Sequence, residues 1–158
     1  MKYVFQRYRS PVGTLSIVAT PDALVSVWFG EVLAKGFEQA EENRNEIIRL
    51  TIKQLEEYFA GKRTSFDIPV APIGTEFQKQ VWKSLNEIPF GKTATYGDQA
   101  LKLGKPSASR AVGAANGKNP IPIIIPCHRV IGADGSLTGF SGGLDIKKKL
   151  LRLENSEF

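Results

Sequence analysis

In 158 residues there is one cysteine, one histidine and one methionine. A lone cysteine, Cys127, excludes an internal disulfide and any zinc site built on several thiolates. A lone histidine, His128, excludes a histidine metal cluster, so no metal and no resident cofactor is expected. Long apolar runs are missing too. The longest near-apolar stretch, Ile121 to Cys127, is seven residues with two prolines, against roughly 20 apolar residues for a membrane helix. The first ten residues scatter three cations among apolar side chains, unlike a secretory leader. These absences point to a soluble cytoplasmic protein with no membrane partner.

What is present suits a globular chain. It is 42% apolar and 23% charged, enough apolar content for a real core. The net charge of +5 lies wholly in the second half. Up to Pro72 there are nine Lys and Arg against nine Asp and Glu; from Ile73 onward there are twelve against seven. A basic half beside a neutral half fits an electrostatic footprint for a polyanion, nucleic acid first, and equally a basic surface with no partner.

Local patterns divide the chain at the same place. Lys2–Tyr8, Thr14–Thr20 and Leu24–Phe29 are rich in Val, Ile, Tyr, Phe and Thr, separated by Pro11-Val12-Gly13 and Pro21-Asp22. They predict an antiparallel meander. Glu46–Ala60 carries Ile48, Ile52, Leu55 and Phe59 at helical spacing before Gly61. Phe66–Ile68 is a further candidate strand, and the stretch from Pro69 to Gly74 is a candidate linker. The expected domains are therefore 1–72, with strands and one helix, and 73–158, mostly helical.

In the second half, Thr75 and Gln78 form a capping-box start for a helix with Phe77, Val81, Trp82, Leu85 and Ile88 on one stripe. Pro89-Phe90-Gly91 ends it. Thr95 precedes a short helix, Tyr96–Leu103, stopped by Gly104. Pro106 and Ser107 open another, running to about Ala115 and ending in Asn116-Gly117. Two short helices across a glycine-containing turn make a helix-turn-helix pattern, which many ordinary helical pairs share. Leu144–Leu153 is a last amphipathic helix.

The only cysteine and the only histidine are neighbours, in Ile123-Ile124-Ile125-Pro126-Cys127-His128-Arg129-Val130. A free thiol with a pKa near 8.5 is only a few per cent thiolate at neutral pH, so a nucleophilic cysteine needs a base or a nearby cation such as Arg129. Neighbours on a strand point to opposite faces, so only a bend after Pro126 lets the two cooperate. A lone cysteine is otherwise a small core residue. Downstream, Gly139, Gly142 and Gly143 surround Phe140 and Ser141, where backbone N–H groups can approach a planar ligand. Glu154 ends the last helix, at the unfavourable end of its dipole, a placement that a histidine partner would justify.

Together these residues resemble the O6-alkylguanine-DNA alkyltransferases, also called methylated-DNA–protein-cysteine methyltransferases. Pro126-Cys127-His128-Arg129-Val130 is similar to that family's active-site signature. Tyr96, Arg110, Asn119, Ser141-Gly142-Gly143 and Glu154 follow its order. The resemblance spans nearly the whole chain and is strongest from about Thr75 to Glu154. It implies an α+β protein: an N-terminal ribonuclease-H-like α/β domain followed by a winged-helix-like DNA-binding domain. It also implies a monomer that flips O6-alkylguanine, with O4-alkylthymine as a further candidate, out of double-stranded DNA. The alkyl group then passes irreversibly to Cys127, once per molecule.

On the same resemblance, His128 takes the thiol proton through a water, Glu154 orients the imidazole and Asn119 holds the turn presenting Cys127. Tyr96 serves the guanine ring nitrogen and a neighbouring phosphate. Val130, Phe140, Ser141 and Gly142 join Cys127 in lining the base pocket. Arg110 fills the gap left by the base, while Ser107, Ala108, Ser109 and Ala111 let their helix approach the groove. Similar proteins often carry Tyr where Phe140 stands. Three other readings compete: a lesion-binding sensor without transfer, a redox-responsive helix-turn-helix regulator, and a cysteine hydrolase. The intact Cys127 argues against the sensor. The redox reading does not require Tyr96, Arg110, Asn119 and Glu154 together, and a hydrolase would need an oxyanion site and turnover.

Overall fold

In the computed structural model, which describes residues 2–155 and 157–158, β1 (Val4–Ser10), β2 (Gly13–Ala19) and β3 (Leu24–Phe29) form the expected meander. β1 and β2 pair antiparallel from Val4 opposite Ala19 to Ser10 opposite Gly13. β2 also pairs antiparallel with β3, and the sheet order is β3-β2-β1-β4. The fourth strand, β4 (Glu41–Glu42), is two exposed glutamates running parallel to β1, with no apolar pattern to announce it. α1 (Glu46–Phe59) starts where Asn45 accepts a hydrogen bond from the Ile48 N–H, and it buries Ile48, Ile52 and Leu55 against the sheet. A separate cluster gathers Val18, Val25 and Phe37 with the partly buried Tyr3, Phe5 and Leu33.

The candidate strand Phe66–Ile68 does not form. The Gln54 side chain takes both backbone groups of Asp67, at 3.2 and 2.8 Å, where a ladder would have needed them. Pairing resumes for one residue at Val70. There Leu24 N–H donates to Pro69 O and Ala71 N–H donates to Leu24 O, and the flanking prolines 69 and 72 have no N–H to extend it. Part of the candidate linker is thus tied to β3, and the first unit ends at Ile73.

The second unit begins at Gly74. α2 (Glu76–Leu85) carries the capping box of Thr75 and Gln78 and buries Val81, Trp82 and Leu85. A two-stranded parallel ribbon follows, joining β5 (Ala94–Thr95) to β6 (Val130–Ile131). α3 (Tyr96–Lys102) has its own box, Thr95 with Asp98. α4 (Ser109–Gly117) begins three residues beyond Pro106. Ala108 N–H closes a turn onto Lys105 O at 2.9 Å instead, and Ala108 is not helical, so Ser107 and Ala108 precede the helix rather than lie in it.

α2, α3 and α4 pack together around a polar clasp. The Gln99 and Asn116 amides exchange hydrogen bonds of 3.1 and 2.8 Å, and Trp82 Nε1 donates to Ala115 O at 2.8 Å. α5 (Leu144–Glu154) closes the unit. Among the described residues, no helix is long and apolar enough to cross a membrane.

Candidate active site

The segment from Asn119 to Cys127 is buried throughout except for the half-buried Pro120, and it is a folded turn rather than a strand. Asn119 holds it: its Nδ2 donates to Ile125 O at 2.8 Å, and its Oδ1 accepts from Ile121 N–H at 3.0 Å. Ile125 N–H also donates to Ile121 O. Inside this turn Ile123 has φ 75°, a left-handed conformation that a β-branched residue adopts only at a cost of order 1–3 kcal/mol. Asn119 and burial of Ile123 hold that strain in place.

After Pro126 the chain makes one 3₁₀ turn, Cys127–Arg129. This is the bend that the adjacent cysteine and histidine require, because strand alternation no longer separates their side chains. His128 is fully buried, and its Nε2 lies 2.6 Å from Glu154 Oε2. Arg129 completes the cluster, with Nε 2.8 Å from Glu154 Oε1 and a second nitrogen 3.1 Å from Oε2. A third nitrogen donates to Ile88 O, and the guanidinium lies over the Phe90 ring. Glu154 therefore has the partner its awkward position at a helix end suggested, and a second one in Arg129. From the sequence Arg129 was a cation for the thiol; its hydrogen bonds go to Glu154 instead, and its charge opposes protonation of His128.

Burial governs the protonation of both groups. It pushes the Cys127 thiol up to about 11, against smaller lowering effects from Asn119 and the Lys147 ammonium. It lowers the His128 imidazole, partly offset by Glu154. Resting thiolate is then scarce, roughly one part in ten thousand at pH 7. The site pairs a neutral thiol with a neutral base. Cys127 as a whole residue keeps 7% of its surface exposed, so the thiol sits in a nearly closed site. His128 Nδ1 is buried without a hydrogen-bond partner among the described residues.

Tyr96 reaches the site through β5, which pairs with the strand leaving the active-site turn. Its hydroxyl lies 3.3 Å from Thr138 O and 3.2 Å from Thr138 Oγ1. Its ring lies against Gly113 of α4, where an added Cβ would sit 3.5 Å away. Lys147 of α5 is completely buried and donates to Val130 O at 2.6 Å and to Thr138 O at 2.7 Å. Neither Thr138 nor Lys147 was legible as a site residue. Lys147 is the first of three lysines, two of them exposed, and only the helical register of Leu150 and Leu151 marks its face as inward.

Of the remaining candidates, Val130 is buried, Phe140 and Gly142 are half-buried and Ser141 is exposed. Arg110 and Ala111 are exposed in the first turn of α4, Ser109 is half-buried there, and Ser107 and Ala108 form the turn before it. Among the described residues no group of three His, Cys, Asp or Glu side chains is arranged to hold a metal.

Residues 3–72 match the family model for the 6-O-methylguanine DNA methyltransferase ribonuclease-like domain, and residues 76–156 match that for the DNA binding domain. A methylated-DNA–protein-cysteine methyltransferase of Methanosarcina acetivorans is 52% identical over 155 residues, covering 94% of this chain and 96% of the relative. The crystal structure of a Mycobacterium tuberculosis O6-methylguanine methyltransferase superposes with a TM-score of 0.91 at 40% identity, covering 99% of this chain and 94% of that one. The Mycobacterium tuberculosis OGT in complex with DNA gives 0.89 at 42% identity, with the same coverage.

Proposed function

The chain belongs to the 6-O-methylguanine DNA methyltransferase family, and from that membership we infer that it repairs DNA by moving an alkyl group from a damaged base onto its own cysteine. It is a methylated-DNA–protein-cysteine methyltransferase, and with one cysteine in the sequence the acceptor is Cys127. Its substrate on this reading is O6-alkylguanine in duplex DNA, with O4-alkylthymine as a second lesion to test. It acts as a cytoplasmic monomer. The observation that carries the assignment is the buried His128–Glu154 hydrogen bond on the turn that bears Cys127.

The target atom cannot be reached inside a duplex, so the nucleotide is rotated out at a few kcal/mol of lost stacking and pairing. Arg110, exposed at the start of α4, fills the vacated space, and a planar guanidinium suits stacking on neighbouring bases. Ser107, Ala108, Ser109 and Ala111 are small enough for that end of α4 to come close to the backbone. The extruded base enters beside Val130, Phe140, Ser141 and Gly142.

The thiol proton passes through a bridging water to Nδ1 of His128, the ring nitrogen left without a partner. Sulfur attacks the alkyl carbon in line. The S–C bond forms as the C–O6 bond breaks, and the electron pair goes to the guanine. A proton from the Tyr96 hydroxyl neutralises the leaving base at a ring nitrogen, and solvent restores it. The imidazolium is stabilised by Glu154. No group in the site can cleave the resulting thioether, so each molecule reacts once.

Intact mass spectrometry after incubation with duplex DNA carrying O6-methylguanine tests this. The expected result is a gain of one methyl group, mapped to Cys127, with restored guanine and no second event. Cys127→Ala should abolish transfer and leave DNA binding within about twofold, since it removes one confined side chain that makes no contact with phosphate on this reading. Multiple turnovers, or methylation elsewhere, would overturn the reading.

A further inference from the structure

A lysine with no exposed surface needs a reason, since burial of an ammonium is costly unless its charge and its donors are used. Lys147 is that residue here. Its ammonium bonds the carbonyl of Val130, in the strand leaving the active-site turn, and the carbonyl of Thr138, in the segment leading to Phe140 and Ser141. The same Thr138 receives the Tyr96 hydroxyl. Three parts of the site, the turn, the segment before Gly139 and Tyr96, therefore meet through one side chain from α5. We propose that Lys147 is a positioning residue of the transfer reaction, pinning Thr138 and with it Tyr96 to the strand after Cys127, with its ammonium acting on Cys127 and His128.

The charge has a definite direction of effect. Three charged groups act on His128: Glu154 and Lys147 from α5, and Arg129 from its own turn. Glu154 favours the imidazolium; Lys147 and Arg129 oppose it. Lys147 also favours the Cys127 thiolate. Glu154 works against burial, and the two opposing cations limit how far it draws His128 towards its protonated form. Burial is the main influence keeping the ring unprotonated, and Lys147 adds to it in the same direction. This role rests on the reading of His128 as the base.

The test is single-turnover methyl transfer from O6-methylguanine duplex DNA against pH, for the full-length wild type, Lys147→Met and Lys147→Arg. Wild type should lose rate only in acid, as His128 protonates. Lys147→Met should move that acid limb to higher pH, since a charge that opposes protonation of the imidazole is lost. Its rate at pH 7.5 should fall roughly threefold to tenfold, less than the thiolate population because a more basic thiolate is also more nucleophilic. Lys147→Arg should return the limb to the wild-type position. If Lys147→Met does not fold, Lys147→Gln keeps a donor without the charge and should shift the limb in the same way. A limb unmoved in the neutral variants, or moved equally in Lys147→Arg, overturns the role of Lys147 alone. A wild type with no acid limb overturns the reading of His128 as base, and this inference with it.

Discussion

On the proposed mechanism His128 must do two things that pull against each other: remain uncharged at rest, and carry a proton during the reaction. Burial secures the first and Glu154 the second. The consequence for pH is specific. Because the folded imidazole titrates below its ordinary 6.5 and the thiol above its ordinary 9.0, proton exchange between them is internal across the interval. Transfer should be nearly flat with pH from below 6.5 to the alkaline range. Replacing the base, His128→Gln, should turn that plateau into a slope of about tenfold per pH unit, as hydroxide must then ionise the thiol. Rates measured at five or six pH values decide it, and a flat His128→Gln profile would remove the base. The same shift sets stability. The unfolded histidine gains its proton first as pH falls through 6.5, so the folded state loses stability there, down to the lower folded value.

At the scale of elements, helix starts carry much of the specification. Thr75 with Gln78 and Thr95 with Asp98 both close capping boxes, the first of them readable directly from residue types. Gly74 sits just ahead of the first box. A methyl group there would overlap the Trp82 ring, with Cζ3 only 2.7 Å away. Trp82 cannot yield easily, being buried and bonded to Ala115 O. Gly74→Ala should therefore cost about 1–3 kcal/mol by urea denaturation, the usual range for overpacking. A cost within error of zero would mean that Trp82 repacks freely.

Elements with strong periodicity or cap chemistry were legible: the three meander strands, α1, α2, α3 and α5 agree with their expected spans within a few residues. α4 was anticipated too early because Pro106 reads as a helix start, while the chain uses Lys105 to Ala108 as a turn. β4 and the lost strand at Phe66–Ile68 were illegible for one reason. Both depend on which distant groups claim the backbone: β1 in one case, Gln54 in the other. Within the site, Cys127 and His128 stood out by residue type and Glu154 by its place at a helix end, while Asn119 entered only through the family resemblance. The 3₁₀ turn at Cys127–Arg129, the second partner of Glu154 and the inward turn of Lys147 are tertiary facts that no local spacing records.

For the molecule as a whole, charge and chemistry are carried by the same half. Lys102, Lys105, Arg110 and Lys118 are all exposed on or beside α3 and α4. If they meet phosphates, log affinity for duplex DNA should fall linearly with log salt concentration. Lys105→Gln should reduce that slope by about 0.9 per lost contact, with no loss of sequence tolerance. Titrations at four salt concentrations measure it, and an unchanged slope takes Lys105 out of the interface. The left-handed Ile123 carries a different implication. A methylated sulfur needs room in a site that is nearly closed, and the backbone just before it already sits above its relaxed energy. Relief through that turn would loosen the hold of Asn119 on it. A used molecule should then melt below an unused one, so that the history of a single repair would be stored as mechanical memory in the protein that made it; equal melting temperatures before and after methylation would remove the idea.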